Sequence, residues 1–425
     1  MSSQPEEPQA SSGSIFRSRN FMALWTGQTI STIGNQLSGL AFPVFAVTML
    51  SINEWQMGIL NAAGTASFLL VGLTAGALVD RMRKRRVMIV ADLIRFVATL
   101  SIPVLYFAGV IQIWHLFVAA AINGLATVFF DVSYQSYIPF LVAKDKIAQA
   151  NSALETTSQI SGLGGPAAVG FLLTIIKAPF VMVVDGLSFL ASVFSLSLIR
   201  DREVPAAKHE RKPLRTEIAE GIKFVWSNRI IRSISFTTAT SNLFGTAAMT
   251  LLPLVVLRDL HISPATFGIM ESSAAIGGLL GAVSAAKLAK WIGQGQLVAI
   301  SAVLFGITAF GPALAAGSSQ PVAIAILVIG QALGSFTVLT YNITQVSARQ
   351  RLCPEHLLGR MNASIRFFVW GVMPIAALLS GAVASAIGIV PVLWICAIGG
   401  LFSTVFVVFS PLARMRDLAP EASKE

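Results

Sequence analysis

Seven charged side chains stand inside long apolar runs of this 425-residue chain: Asp92, Arg95, Asp131, Glu155, Asp185, Glu271 and Arg366. A charge at mid-bilayer costs about 2.5–3.5 kcal/mol on insertion scales, so each needs a partner or a task. Asp92 and Arg95, one helical turn apart near one end of their run, can pair with each other or with the charged turn between runs two and three. Glu155 and Arg366 are 211 residues apart, at matching positions of an internal repeat. Opposite charges there could close an inner gate, or cap two helices separately. Asp185 and Glu271 fall about two helical turns inside the outer surface. A carboxyl group enclosed by apolar helices can take up and release a proton near neutral pH, the chemistry that couples flux to a proton gradient. Glu271 is the first candidate for that role because its repeat mate is the neutral Asn61; Asp185 and Glu155 come after it. Uncharged polar groups also sit mid-run: Gln28, Asn35, Asn61, Asn242 and Gln331. They either bond between helices or, with Arg366 and an apolar wall such as Phe244, line a cavity for a solute.

These residues must be positioned by helices that cross a membrane. Hydrophobic residues make up 55% of the chain and charged ones 12%, about half the charged share of a soluble domain. Twelve apolar runs near 20 residues long start near Phe21, Trp55, Val87, Trp114, Ala148, Ala178, Ser233, Pro264, Gln296, Pro321, Ile365 and Ile389. Their connections alternate in charge. Of the 30 Lys and Arg, all but four fall on one side; Lys177 and Arg258 lie on the other, and Arg95 and Arg366 lie within runs. By the positive-inside rule that basic side, with both termini, is cytoplasmic. The net charge of +10 is therefore a topology signal. It makes anionic headgroups, not nucleic acid, the partner of that face.

The organisation expected is an all-α membrane protein of 12 transmembrane helices in two six-helix, pseudo-symmetric bundles. Residues 1–16 read as a disordered cytoplasmic tail without the features of a cleaved leader. Residues 17–199 form the first bundle, 200–232 a cytoplasmic linker, 233–412 the second bundle and 413–425 a tail. Met57–Asn61 aligns with Phe267–Glu271 at an offset of 210, and Asn151–Ala153 with Asn362–Ser364 at 211. Two such halves place a substrate site near mid-membrane, between them. In the linker, Ile218, Ile222, Val225, Trp226 and Ile230 keep helical spacing, which reads as an amphipathic helix at the interface.

The turn between runs two and three is Gly76-Ala-Leu-Val-Asp80-Arg81-Met-Arg83-Lys84-Arg85-Arg86. Its glycine permits close helix approach, Asp80 can face a helix N-terminus, and its basic residues can pair with acids at cytoplasmic helix ends. A cluster of that kind can form in one conformation and break in another. The stretch resembles the loop signature of the major facilitator superfamily, G-x-L-a-D-r-x-G-r-k, with Arg83 at the usual second glycine. In the second half Lys290 stands where Asp80 maps. The resemblance covers about residues 17–410. RNFMALWTGQTISTIGNQLSGLAFP, FFDVSYQSYIPFLV and EGIKFVWSNRIIR are similar to the bacterial efflux branch of macrolide and siderophore exporters. It implies a gate made of Gly76, Asp80, Arg81, Lys84, Arg85 and Asp131, with Asp131 facing Lys84 or Arg85. Gly165, Pro166 and Gly170 resemble the glycine–proline motif of antiporters, where Pro166 favours a bend. The resemblance also notes that relatives often carry an acid where this chain has Asn35, so proton binding there is not available.

No P-loop, zinc-protease or nucleophile-elbow pattern occurs, and only Cys353 and Cys396 are available for thiol chemistry. The expectation is a transporter and not an enzyme, with no cofactor, metal, ATP or nucleic-acid partner. It would work as a monomer in the bacterial inner membrane, exporting amphipathic organic compounds such as drugs, macrolides or siderophores by alternating access with protons as exchange partner. The rival readings are a lysophospholipid transporter of the same fold and a non-transporting membrane sensor or scaffold.

Overall fold

The computed structural model describes residues 15–79, 82–142, 146–200, 214–354 and 357–416. It is all-helical, with no strand among the described residues. In chain order the helices are α1 (Arg19–Leu50), α2 (Glu54–Val79), α3 (Lys84–Phe107), α4 (Ile113–Leu141), α5 (Ile147–Ile175), α6 (Ala178–Ser197), α7 (Leu214–Ser227) and α8 (Arg229–Pro253). After them come α9 (Pro264–Ile292), α10 (Gln294–Thr308), α11 (Gly311–Ala316), α12 (Gln320–Leu352), α13 (Leu358–Ile387), α14 (Ile389–Phe402) and α15 (Val405–Val408). A π-helical turn, Leu254–Asp259, extends α8, and α10–α11 and α14–α15 each act as one broken helix. Among the described residues, 11 helical segments are long and apolar enough to cross a membrane. The further 26-residue helix α2 packs on α4 and α13 beside them.

Helix starts fall within about four residues of the sequence expectation, with one exception. The eleventh run begins at Leu358 rather than Ile365, because its polar first turns pack on the linker helix α7 instead of meeting lipid. Ile15–Arg17 is a short 3-10 turn with Ile15 buried against Phe21 and Leu24, so residues 15 and 16, read from the sequence as part of the tail, pack on the first bundle. The amphipathic helix stops at Ser227. The Asn228 side chain accepts from the Ile230 and Ile231 N–H groups and starts α8 there, which moves Ile230 out of the linker helix. The α7 helix is seated on α13: Val225 is buried with Met361 and Ile365, Glu220 pairs with Arg360, and Gly221 lies against the Arg360 carbonyl.

Helices α1–α6 and α8–α14 form two groups joined chiefly by two helix crossings, α2 with α13 and α5 with α9, with smaller contacts of α1 and α2 on α8 and its π-helical extension. Each crossing rests on glycine. A Cβ on Gly58 would lie 2.6 Å from the Ala377 carbonyl oxygen, and one on Gly381 2.7 Å from that of Glu54. A Cβ on Gly170 would lie 2.9 Å from the Ala265 carbonyl oxygen, and one on Gly268 2.7 Å from the Gly170 Cα. Gly58 and Gly268 are 210 residues apart and Gly170 and Gly381 are 211, the repeat offsets themselves. Small residues at equivalent places let two backbones meet twice.

The buried apolar core is not evenly spread. At the end that holds Glu54 and Arg258, one cluster unites α1, α2, α6, α8, α9 and α13 through residues such as Val44, Met57, Leu251 and Phe267. At the end that holds Arg85, the core splits. Phe21, Met88, Tyr137 and Leu196 cluster within α1–α6, whereas Ile234, Val298 and Val407 cluster within α8–α15. No buried apolar cluster joins the two groups at that end among the described residues. Among the described residues the molecule is sealed at one end by a shared apolar core and parted at the other in that its core divides between the two groups.

Candidate functional site

The two larger cavities inside the body lie one in each group of helices, and a small one of about 60 Å³ beside the second is lined by Asn242. The first, about 350 Å³, is lined by Asn35 and Ser38 of α1, Asn61 of α2, Arg95 of α3, Asn123 of α4 and Asp185 of α6. Helical spacing brings these groups inward: Asn35, Ser38 and Phe42 follow one face of α1, and Asp92, Arg95 and Thr99 one face of α3. Arg95 is the hub. It bonds to Asp92 at 3.1 Å and to the Asn35 side-chain oxygen at 2.6 Å, and its guanidinium lies 4.2 Å from the Phe189 ring centroid. Asp185 accepts from Ser38, and from Ser188 at 3.3 Å. Gly34 gives α6 room, because a Cβ there would strike Ser188 and Asp185. Asp92 Oδ2 and Arg95 Nε are buried without a hydrogen-bond partner among the described residues, so the cluster keeps unused bonding capacity.

The second cavity, about 260 Å³, is lined by Ser241 and Phe244 of α8, Glu271 of α9, Phe305 and Thr308 of α10–α11 and Gln331 of α12. The Gln331 amide donates to Glu271 Oε1 at 3.0 Å. Glu271 has no ion pair among the described residues. Gly399 clears space for the Phe244 ring, against which a Cβ would clash.

Of the remaining sequence candidates, Asn242 donates to the Val369 carbonyl at 2.9 Å and ties α8 to α13. Gln28 reaches Thr32 on its own helix at 3.4 Å and lines neither cavity. Arg366 is exposed on the parted side, with its guanidinium 5.5 Å from the Trp370 centroid. Asp131 feels the charges of Arg95 and Arg366. In the basic turn, Asp80 and Arg81 lie outside the described residues, as does the Glu155 side chain, and Gly76 belongs to the end of α2. Lys84 Nζ sits 5.0 Å from the Phe140 centroid. Arg85 donates to the Leu196 and Ser197 carbonyls at 2.7 and 2.6 Å, closing the C-terminus of α6, a contact the sequence reading lacks. In α5, Gly165 meets Gln36 of α1 and Gly170 meets Gly268 of α9, with the helix continuous through Pro166.

Two features escaped the sequence. Asp185 and Arg95, placed near opposite surfaces by their distance from helix ends, line the same cavity. With only 20 residues in α6, a residue seven positions from one end is already near mid-height. At the sealed end, Arg258 bonds to Glu54 at 2.9 Å and to Asp259 at 2.8 Å, so an ion pair bridges the two groups of helices. Burial pushes the Glu54 carboxyl up, but a backbone N–H and the Arg258 guanidinium outweigh it and hold the pKa below its ordinary 4.5. The sequence signal available was that Arg258 is one of only two basic residues on its side.

A bundle of membrane-crossing helices with interior polar cavities, sealed at one end and parted at the other, is the architecture of a secondary membrane transporter. Residues 10–425 match the family described as transmembrane secretion effector, and the chain belongs to that family of major facilitator transporters. It is 25% identical over 402 residues to the multidrug efflux pump Tap of Mycolicibacterium fortuitum, covering 91% of this chain and 94% of the relative. It is 21% identical over 399 residues to macrolide efflux protein A of Streptococcus pyogenes, covering 94% and 97%. Among solved structures, a bacterial homologue of the iron transporter ferroportin in its inward-facing state superposes with a TM-score of 0.75 at 16% identity, over 92% of this chain and 98% of that one. The outward-facing state gives 0.56 at 18% identity, over 91% and 98%.

Proposed function

We propose that this chain exports small amphipathic organic compounds across the bacterial inner membrane by alternating access, in exchange for protons. In this reading α2 is the twelfth span, α1–α6 and α8–α15 are the two six-span bundles, and the chain works as a monomer. Both termini and the 200–232 linker face the cytoplasm, so the parted end is the inner one. The observation that carries the proposal is the paired cavities. Each half holds one facing the interior, and each has a carboxyl group in its lining, the fully buried Asp185 or the partly buried Glu271. The relatives' multidrug and macrolide efflux, and the better fit to an inward-facing transporter, support it.

Coupling is assigned first to Glu271, then to Asp185 and Glu155. Glu271 faces an apolar, aromatic wall and a neutral amide, so a cationic or neutral amphipathic solute and a proton can compete for it. Rocking about the two glycine crossings would part the sealed end and close the other. Asp80, Arg81, Lys84, Arg85 and Asp131 would then latch the inner side. The test is flux in proteoliposomes. Glu271→Gln is expected to abolish efflux driven by a pH gradient while solute binding stays measurable. Unchanged pH-driven flux would remove Glu271 from coupling, and no flux of any amphipathic solute by the wild type would remove the export reading. For the latch, Asp80→Asn should slow turnover far more than Arg414→Gln.

A further inference from the structure

A third and larger space lies outside the transport path, on the flank of the first bundle. It is a groove of about 630 Å³ between α3 and α4, roofed by the end of α2. Its floor and walls are apolar; Val90, Ile94, Ile122 and Leu125 are the working side chains, and all four are well exposed. Arg83 and Arg86 form its rim. Both are exposed, and neither has a hydrogen bond or ion pair among the described residues, whereas their neighbour Arg85 is committed to the end of α6.

We propose that this groove is a binding site for an anionic phospholipid. From Arg86 to Ile94 the groove runs about 12 Å along α3, the depth of the first part of an acyl chain. The two guanidiniums stand where that chain's headgroup phosphate would sit. Arginine presents a planar fork of donors to a phosphate, and each basic side chain at an anionic membrane surface adds to the attraction. The second bundle offers an internal control. A groove of about 520 Å³ between α10–α11 and α12 is lined by Phe310, Leu314, Val322 and Ile329 and carries no charged residue. It can take acyl chains but has no means of choosing a headgroup. Selectivity therefore resides in Arg83 and Arg86. The site flanks the basic turn, so an occupied groove would tether the α2–α3 connection to the inner leaflet. None of this depends on which solute is transported.

The experiment is a melting-temperature titration of the full-length protein in detergent with dioleoyl phosphatidylglycerol, dioleoyl phosphatidylcholine or sn-glycerol 3-phosphate. A ligand that binds the folded state raises its melting temperature, and the rise grows with the logarithm of its concentration above Kd. Phosphatidylglycerol should stabilise at concentrations where phosphatidylcholine does little and glycerol phosphate nothing. The double variant Arg83→Gln/Arg86→Gln should need about ten- to thirtyfold more phosphatidylglycerol for the same shift, while Arg414→Gln titrates like the wild type. Should the double variant not fold, Ile122→Trp fills the groove and leaves the arginines in place; it should also lose the phosphatidylglycerol response. Equal response to the two lipids, full response to glycerol phosphate alone, or undiminished response in either groove variant would overturn the assignment.

Discussion

The two cavities are related by the repeat and yet are built on opposite electrostatic plans. In the first bundle Arg95 binds Asp92 and Asn35 directly and lies beside Asp185, whose oxygens are taken by Ser38 and Ser188. In the second, Glu271 meets one neutral amide and an aromatic wall. Charges held by each other inside a low-dielectric body serve to fix helices, because breaking the set strands a charge. A carboxyl group with no cationic partner can gain or lose its proton without dismantling anything. The repeat thus presents two equivalent frames, one tied by an ionic network and the other holding a carboxyl group without an ion pair among the described residues. The carboxylate that the second half carries at the Asn61 position is where the two plans part.

That contrast can be broken by asking which half fails structurally and which fails functionally. The largest effect is expected from Arg95→Met. It strands the buried Asp92 and should cost about 3–5 kcal/mol, seen as a collapse of the melting temperature or of folded yield. Adding Asp92→Asn to the same chain should recover part of the loss, since the carboxylate bonded to Arg95 is then neutral while Asp185 and Asp131 still lack the Arg95 charge. A stable Arg95→Met single variant would show that the network holds nothing. Glu271→Gln should behave the other way. Its amide still reaches Gln331, so melting should move by no more than about 1 kcal/mol while pH-driven flux disappears. If both substitutions proved mainly destabilising, the division of labour between the halves would be wrong.

The glycine crossings sharpen the comparison from the other side, because they are the feature the halves share. Gly268→Ala pushes a methyl group against the backbone of Pro166 and Gly170. Backbone cannot swing away, so a cost of about 1–3 kcal/mol is expected. Gly245→Ala in α8 has nothing within 4 Å and should be neutral or stabilising by about 0.5–1 kcal/mol. Opposite signs in a paired thermal-melt measurement would confirm that the glycine at 268 is a seat for the neighbouring bundle. Equal effects would reduce the crossing to helix propensity.

Much of the frame was legible because lipid imposes a simple rule. A span must be apolar over about 20 residues, and breaks must carry charge or turn residues, so starts such as Ala178, Pro264 and Ile389 could be read directly. The misplacement at Ile365 came from the same rule. Arg360 and Asn362 look like loop residues, but Arg360 is satisfied by Glu220 of the linker helix, and the helix runs through them. Individual site residues were visible as polar groups in apolar runs; Asn35, Asn61, Asp185, Glu271, Phe244 and Gln331 all line a cavity. Their grouping was not visible, because distance from a helix end measures height only when helices have similar length. Helix α6 has 20 residues and α12 has 33. The Glu54–Arg258 bridge was hidden for a different reason: it depends on how the two halves are set against each other, which no local pattern encodes.

That bridge gives the smallest and most conditional effect. The Arg258 side chain is 40% exposed, so the pair with Glu54 is screened and worth about 0.2–1 kcal/mol in holding the sealed end shut. Spin labels on cysteines replacing Trp55 and Leu314, exposed positions at that end in opposite bundles, would report its separation. Glu54→Gln should raise the fraction with long label distances about 1.4- to fivefold, whereas Glu54→Asp should fall between it and the wild type. The pH dependence has a fixed sign. The pair holds the Glu54 pKa below the ordinary 4.5, so its contribution is complete above that value and fades as pH falls through the lowered one. Opening of the wild type should therefore be flat from neutrality down to the ordinary carboxylate range and grow only below it, with Glu54→Gln indifferent to pH throughout. If the wild type instead opened as pH fell from 7 to 6, another group would be responsible. Asp185 and Glu271 in the cavities would then have to be tested as groups that release the sealed end themselves.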